Sequence, residues 1–378
     1  MSSKNNLQVI SNASPHTIKK FELIETYIKS WAQRLMLNSA CSGIVFIDCM
    51  CNSGIYRNTL DGTMVEGTPI RVAKALLDVA HRYENKTVEL YFNDNSIEKI
   101  NELKKHLPAD ERNFRIVPTI RDGNELLKII GPQLKRASRK HFFLLYDPYD
   151  ASIDWNALTP FFKSWGEVLL NHMVVDPARA ITQVKRAETK EKYEQTYFED
   201  FENLIPYGSN KDAYEKRVEE IITMLKGNRE YYVSACPFFN SQNSLVYNLI
   251  HCTSHEAGFS LYKQSAWKVF GGKSSTKHLH VDQNQLDFGM LASGNVSFTT
   301  DESCYTIRDI AEYLCRVFSG RQDVRLDDLW KALEKHPVFP SEGFRNEIRS
   351  ELKSLYGVTQ STENNPISGK REYLFSFR

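Results

Sequence analysis

The sequence predicts an α/β fold with a mostly parallel twisted sheet, helices on both faces, and a small winged-helix domain at the C-terminal end. Three apolar runs, 44–48, 90–94 and 142–147, each end in an aspartate. Continuous apolar runs are typical of strands buried on both faces of a parallel sheet. Helical patterns alternate with these strands, which predicts right-handed crossovers between them.

The composition indicates an ordinary globular protein. The chain has 378 residues, a net charge of +1 and 41% hydrophobic residues, which is enough for one large domain and a smaller one. No apolar run approaches the roughly 18 residues of a membrane span, and residues 1–14 lack the apolar core of a signal peptide. We therefore expect a cytoplasmic protein with no membrane association.

The cysteine pattern does not predict a metal site. The seven cysteines are scattered, and none forms a C-x-x-C pair. His251, Cys252 and His255 lie close enough in sequence to suggest metal ligands, but their place at a strand end favours a structural role or a partner contact. We expect reduced, mostly buried thiols and no bound metal.

The first predicted unit is a helix, a strand, a loop and a second helix. Residues 15–37 show helical spacing of apolar residues behind Pro15, and strand 44–48 leads into the loop 49–56. Thr68 is predicted to cap the next helix, with Pro69 in its first turn. The helix after Asp94 is predicted to bury Ile97 along with later apolar residues.

Further strands are predicted at 114–118, 167–175 and 245–253, with a helix at 124–134. Residues 178–229 form a charged helical insertion in which aromatic residues are interleaved with lysines. This insertion is either a solvated cap over the sheet or a substrate lid whose cations meet phosphates.

The C-terminal part has a different sequence pattern, with short amphipathic segments in place of alternating strands and helices. Residues 271–275 read as a linker, and 283–290 as a last strand. Three short amphipathic helices and a hairpin formed by 358–360 and 373–377 predict a winged helix. The expected organisation is an N-terminal helical segment (1–40), a sheet domain (41–295) with an insertion at about 178–230, and a winged helix (303–378).

Polar residues at the predicted strand ends form a candidate cofactor site, because ligands of such sheets bind at the carboxyl ends of the strands. Gly54 allows the backbone to approach a cofactor, and Asp48 lies behind that loop. Asp94 is the candidate for ribose hydroxyls and Asp122 for an adenine amino group, although each is also a reasonable helix-cap or turn residue. This layout predicts a Rossmann-like class I methyltransferase domain that binds S-adenosylmethionine.

Asp147, Pro148 and Tyr149 form the candidate catalytic segment. A carboxylate and the proline carbonyl can accept hydrogen bonds from an exocyclic amine, so that the nitrogen lone pair faces the methyl donor. The aromatic ring of Tyr149 can stack on a base. The alternative is a β-turn in which Pro148 merely follows the strand.

Five segments, in this order, resemble the bacterial three-Cys-motif partner protein (TcmP) family: 15–20, 46–56, 66–69, 147–149 and 255–258. The resemblance implies a methyltransferase-like Rossmann domain with a winged-helix tail. It also implies a partner protein that bears a three-cysteine, radical-SAM-like motif. The family's cofactor loop is similar to D-x-F-A-G-x-G, whereas Cys51 and Asn52 replace Ala-Gly here. Asn tolerates a left-handed backbone better than most residues, so we expect Asn52 to be one of the cofactor-binding residues of the loop.

The sequence thus favours a methyltransferase that acts on an exocyclic amine of nucleic acid. The alternative is a non-catalytic Rossmann-like partner of the three-cysteine protein that binds DNA or protein through the winged helix. Asn52 favours that alternative, as does the balance of acidic and basic residues in the tail.

Overall fold

A computed structural model describes residues 9–148, 152–173, 187–197, 231–239, 245–270, 306–336, 339–341, 344–355, 357–364 and 371–377. The chain divides into two compact units, Met1–Phe259 and Ser260–Arg378. The predicted boundary at 303, the linker at 271–275 and the strand at 283–290 lie outside the described residues. Within the described part of the chain, no helix is long and apolar enough to cross a membrane.

Among its described residues, the first unit contains ten strands, six helices and the beginning of a seventh helix. The strands are β1 (Ser11–Ala13), β2 (Gly43–Asp48), β3 (Ile55–Asn58), β4 (Met64–Glu66), β5 (Thr87–Asp94), β6 (Phe114–Ile120), β7 (Lys140–Tyr146), β8 (Gly166–Met173), β9 (Tyr232–Phe239) and β10 (Leu245–Thr253). The helices are α1 (Pro15–Leu37), α2 (Thr68–Arg82), α3 (Ile97–Lys104), α4 (Gly123–Ile130), α5 (Trp155–Leu158), α6 (Ala187–Tyr197) and α7 (Glu256–Phe270). The division between the two units falls inside α7.

Seven strands form the main sheet in the order β6-β5-β2-β7-β8-β10-β9. The first five strands in this order, from β6 through β5, β2 and β7 to β8, are parallel to one another. Strand β10 runs antiparallel to both β8 and β9. The predicted α/β class with a mostly parallel sheet is confirmed. A small separate sheet joins β1, β3 and β4.

Helical segments pack on both faces of the main sheet, as the contacts of β7 illustrate, since neighbouring side chains of a strand point to opposite faces. On one face Phe142 belongs to the same buried cluster as Leu127 of α4. Phe142 also packs edge-on against Phe161 on that face. Phe143 packs against Tyr27 and Trp31 of α1 on the other. α1 therefore lies against the sheet and brings its own side chains to the strand ends.

The structure corrects three local predictions. α2 begins at Thr68, so its cap is Gly67 rather than Thr68. Ile97 is 52% exposed, because it stands at the first position of α3 and not on its buried face. Strand β9, which contains Pro237, was not predicted; a proline is tolerated there because β9 is an edge strand and need not donate every ladder hydrogen bond.

Among its described residues, the second unit contains the larger part of α7, three further helices and three antiparallel strands. The further elements are α8 (Ile307–Val317), β11 (Val324–Arg325), α9 (Leu326–Lys335), α10 (Arg345–Leu355), β12 (Thr359–Asn364) and β13 (Arg371–Ser376), with sheet order β11-β13-β12. A capping box between Thr306 and Asp309 starts α8. β12 and β13 pair along their full lengths, where the sequence indicated a hairpin.

Candidate functional site

The strand order creates a crevice at the carboxyl end of the main sheet. β2 pairs with β5 on one side and β7 on the other, so the chain winds away in opposite directions from this point. Ligands of open α/β sheets bind in the crevice at such a switch point. Asp48 and Asp94 end β2 and β5, and Asp147 directly follows β7, so three carboxyl groups lie along this edge.

The loop after β2 is held closed by its own hydrogen bonds. Asn52 adopts a left-handed conformation with φ of 60°. Its backbone N–H donates to Asp94 Oδ2 at 3.1 Å, and its side-chain Nδ2 donates to Ser11 Oγ at 3.1 Å. Its Oδ1 accepts from the Ser53 N–H at 2.7 Å. Asn52 thus has the left-handed backbone that an asparagine tolerates, and its hydrogen bonds also tie the loop to β1 and β5.

Gly54 faces the protein interior. Its φ is +73°, and a Cβ there would lie 2.5 Å from Leu103 Cδ1 and 3.0 Å from Ile70 Cδ1. Its carbonyl oxygen accepts from the Gly67 N–H at 2.7 Å. Gly54 is therefore required for packing of the loop on α2 and α3, which is a different reason from close approach to a cofactor.

A cleft of about 170 Å³ opens beside this loop. Its lining contains Cys49, Met50, Asp94, Asn95, Asp122, Gly123, Asn124, Tyr146, Pro148, Ser152 and Lys192. Three predicted site residues meet here, Asp94, Asp122 and Pro148. Asp48, Asn52, Gly54 and Asp147 do not line the cleft, and Tyr149 lies outside the described residues.

The two cleft carboxylates each carry structural hydrogen bonds. Asp94 is 1% exposed, and its oxygens accept from the backbone N–H groups of Asn52 and Ser96 at 3.1 and 2.9 Å. Asp122 caps α4 by accepting from the N–H groups of Asn124 and Glu125 through Oδ1, at 2.9 and 3.1 Å. Asp94 Oδ2 also lies 3.8 Å from the Lys99 ammonium. Each carboxylate oxygen has about two lone-pair sites, so it can accept more than one hydrogen bond.

Helix α6, from the predicted insertion, contributes Lys192 to the cleft. The Thr196 hydroxyl oxygen accepts from the Ile153 N–H at 3.0 Å, and the Thr196 carbonyl accepts from Trp155 Nε1 at 2.9 Å. These bonds fix α6 over the segment that follows β7. The rest of the predicted insertion lies outside the described residues.

Asp147 is bound on both oxygens. Lys20 Nζ of α1 donates to Oδ2 at 2.6 Å, and Asn171 Nδ2 of β8 donates to Oδ1 at 2.5 Å. The Lys20 ammonium also lies 5.4 Å from the centre of the Tyr247 ring. One quarter of the Asp147 side chain is exposed, whereas Lys20 is buried.

The neighbouring carboxyl group of Asp48 differs from Asp147 in its burial and in its pKa. Burial, reinforced by the negative charge of Asp147, raises the pKa of Asp48 from 3.8 to about 8. The Met50 N–H, 3.3 Å from Oδ1, and the Lys20 charge oppose that shift. At neutral pH, therefore, Asp48 retains its proton beside the ion pair of Asp147 and Lys20.

Sequence reasoning missed Lys20 and Asn171. The signal for Lys20 was present, since it falls among the inward-facing positions of α1, and an unpaired lysine is almost never buried. Asn171 gave no comparable signal, because its contact with Asp147 depends on the pairing of β7 with β8.

The histidines near the end of β10 have structural partners. His251 Nε2 lies 2.8 Å from Glu167 Oε2, and the Tyr27 hydroxyl donates to the same carboxylate. Cys252 is buried in the core, and His255 Nε2 lies 2.7 Å from the Ser164 carbonyl oxygen. No group of three His, Cys, Asp or Glu residues in the described ranges is arranged to hold a metal ion.

Neither a protein-family model nor a curated protein matches this sequence. A Legionella pneumophila protein of the DUF519 family has a similar structure, with a TM-score of 0.38, 11% identity, and coverage of 66% of this chain and 92% of that chain. Human methyltransferase-like protein 13 in complex with SAH gives a TM-score of 0.32, 8% identity, and coverage of 68% and 92%. An O-methyltransferase from Bacillus cereus in complex with SAH gives 0.31, 11%, and coverage of 61% and 80%. At these values the similarities carry no conclusion about reaction or substrate.

Proposed function

We propose that this chain is a cytoplasmic protein that binds S-adenosylmethionine in the cleft and transfers its methyl group to an exocyclic amine of nucleic acid. The supporting observation is that Asp94, Asp122 and Pro148, which are far apart in sequence, line one cleft at the switch point of the sheet. In this proposal Asp94 accepts from the ribose hydroxyls and Asp122 from the adenine amino group of the cofactor, because a carboxylate oxygen can accept more than one hydrogen bond.

The residues present fit a nucleoside ligand with one adjustment. The enclosed volume, about 170 Å³, is below the roughly 300–1,000 Å³ of typical ligand pockets. Met50 and Lys192, both in the lining, have long flexible side chains that can withdraw without backbone movement. Gly123 allows close packing, since a Cβ there would lie 2.9 Å from the Cys49 carbonyl oxygen.

Little chemistry is required of the protein beyond positioning. Bound S-adenosylmethionine supplies a methyl group that its sulfonium already activates, so orientation of the acceptor provides most of the rate enhancement. Asp147 accepts an amine hydrogen, Pro148 offers its carbonyl, and Tyr149 stacks on the base. After transfer the product nitrogen must lose a proton, and Asp147, with a quarter of its side chain in solvent, is placed to receive it.

A second function, a non-catalytic partner of a three-cysteine-motif protein, has one observation in its favour. Both oxygens of Asp147 are already occupied by Lys20 and Asn171, as in a carboxylate retained for stability. In this function the Rossmann-like unit has a structural role without catalysis. The second unit, which we propose is a winged helix, binds DNA or protein.

Helix α10 of the second unit supports nucleic acid as the ligand of either function. Arg345, Arg349 and Lys353 recur at intervals of four residues along one flank, and Glu347 and Glu351 lie on the other. The buried stripe of Ile348 and Leu352 separates the two flanks. Although the acidic and basic residues of the tail nearly balance, one edge of α10 is therefore basic and can contact phosphates.

Calorimetric titration with S-adenosylmethionine and S-adenosylhomocysteine tests the cofactor site. We expect micromolar binding by the wild type and a loss of at least tenfold in Asp94→Ala, about 1.4 kcal/mol, because the variant lacks the ribose acceptor. Asp61→Ala is the control, since Asp61 is exposed and does not line the cleft.

Two results would contradict this proposal. Equal affinities in wild type and Asp94→Ala would exclude the cleft as the binding site. No binding by the wild type, alone or with the three-cysteine protein present, would leave the partner function as the better explanation.

A further inference from the structure

Asn171 is a buried amide at the same edge of the sheet as Asp147. Tyr146 pairs with Leu170 in the parallel ladder, so Asp147 and Asn171 come next on neighbouring strands. Asn171 is only 3% exposed. Its Nδ2 lies 2.5 Å from Asp147 Oδ1, which fixes the orientation of the amide, because the reversed orientation would bring two acceptor oxygens together.

With Nδ2 directed at Asp147, the amide oxygen has no hydrogen-bond donor among the described residues. A buried acceptor without a donor costs free energy, and most such groups in folded proteins have a protein, water or ligand partner. Asn171 Oδ1 therefore indicates a place where an N–H or O–H group from outside the chain can bind.

The surroundings of Asn171 already hold one nitrogen donor. The Lys20 ammonium donates to Asp147 Oδ2 at 2.6 Å and lies 5.4 Å from the centre of the Tyr247 ring. Carboxylate, amide oxygen and aromatic ring together form an environment that favours a nitrogen bearing hydrogens. Lys20 has a long flexible side chain, so it can move aside to admit a second amine.

We propose that Asn171 Oδ1 and Asp147 together bind the exocyclic –NH2 group of a nucleobase, each accepting one of its two hydrogens. The proposal rests on the proposed function for the nature of the acceptor, and it assigns to Asn171 a role in choosing it. A site with two acceptors favours a base that has an exocyclic amine over a base that lacks this amine. When the amine is missing, the two buried acceptors of the site have no hydrogens to bind. It also holds the amine hydrogens away from the nitrogen lone pair.

Base analogues that lack only the amine give a direct test. The probes are fluorescent single-stranded oligonucleotides with one central adenine or one central cytosine, paired with oligonucleotides that carry purine or 2-pyrimidinone at the same position. Dissociation constants are measured by anisotropy at fixed salt in the presence of S-adenosylhomocysteine. The phosphate contribution is the same within each pair, so the ratio of the two constants reports on the amine alone.

For the wild type we expect the amine-bearing oligonucleotide of one pair to bind about tenfold more tightly than its analogue. Asn171→Leu is expected to reduce that ratio to near one. Asn171→Ser, which withdraws Oδ1 but keeps a hydroxyl donor, is the second variant should the leucine variant fail to fold. Asn248→Leu is the matched control, because Asn248 is a buried asparagine of the adjacent strand that pairs with His172, so its side chain lies on the opposite face of the sheet from Asn171. The control should keep the wild-type ratio.

The outcomes separate this inference from the proposed function. A wild-type ratio near one for both pairs, or an unchanged ratio in folded Asn171→Leu and Asn171→Ser, would overturn the role of Asn171. A ratio that both variants abolish supports the amine site. If methyl transfer to the preferred oligonucleotide is then absent in the wild type, the amine site stands and the assignment as a methyltransferase fails.

Discussion

Asp48 and Asp147 place two carboxyl groups on neighbouring strands, yet their surroundings differ at the level of single side chains. Asp147 is paired with the Lys20 ammonium and accepts from Asn171. Asp48, among the described residues, accepts only from the Met50 N–H, and burial raises its pKa to about 8. Burial of Asp48 thus favours a protonated carboxyl group at this edge of the sheet at neutral pH.

The raised pKa of Asp48 predicts that the free energy of unfolding falls as the pH rises from about 4 to about 8. In that interval the unfolded chain has released the Asp48 proton, while the folded chain still holds it, so the unfolded state binds fewer protons. The slope contributed by one such group is at most about 1.4 kcal/mol per pH unit. Asp48→Asn should therefore show a smaller fall in urea midpoint between pH 5 and pH 8 than the wild type.

Glu84→Gln, at an exposed carboxyl group, is the control for the pH experiment and should follow the wild-type curve. Parallel curves for wild type and Asp48→Asn would mean that Asp48 is ionised in the folded protein. The charges of Asp147, Lys20 and Asp94 all act on Asp48, so the variant also reports on that group of residues.

At the scale of elements, the loop between β2 and β3 depends on two residues with positive φ. Asn52 has φ of 60° and Gly54 has φ of 73°. Asn52 compensates for its conformation with hydrogen bonds to Ser11 and Ser53, whereas Gly54 has no side chain because Leu103 and Ile70 fill that space. The replacement of glycine by Asn52 is therefore compatible with an ordered loop.

Gly54→Ala and Gly62→Ala separate backbone strain from steric overlap. Both glycines have φ of 73°, but a Cβ at Gly62 meets nothing within 4 Å. Gly62→Ala should cost roughly 1 kcal/mol from the positive φ alone. Gly54→Ala should cost roughly 1–3 kcal/mol more, because its Cβ would overlap Leu103. Urea unfolding measures both, and equal losses would show that the loop moves to accommodate the methyl group.

Across the whole molecule, the second unit depends on a buried charge that the sequence did not reveal. Lys263 of α7 is 1% exposed, and its ammonium donates to the carbonyl oxygens of Leu333, Glu334 and His336 at 2.8, 3.0 and 2.8 Å. These carbonyls lie at the C-terminal end of α9, where helical oxygens lack internal partners and the helix dipole is negative.

Lys263→Met should destabilise the second unit on the order of 3 kcal/mol, since it removes three hydrogen bonds that a charged, buried donor makes to the end of α9. Lys268→Met, at an exposed lysine of the same helix, should be nearly neutral. Urea unfolding gives the stability. Calorimetry with S-adenosylmethionine should find unchanged affinity in both variants, because every residue of the cleft belongs to the first unit. A stable Lys263→Met protein would show that other donors satisfy α9.

The sequence by itself determined the class of the sheet and where its polar edge lies. Buried parallel strands leave continuous apolar runs, and each run stops at the polar edge of the sheet, so Asp48, Asp94 and Asp147 were recognisable from local pattern alone. It also located α1 correctly, since 3.6-residue periodicity over 23 residues is a strong local signal.

Only the tertiary structure decided which polar residues share a site. Asp94, Asp122 and Pro148 line the cleft, Gly54 serves packing, and Asp147 is bound by Lys20 and Asn171 from elements far away in sequence. β9 was likewise missed, because strand formation there depends on pairing with β10 and not on local preference. Periodicity reports which face of an element is buried, but partners across strands and helices are fixed only when the elements pack.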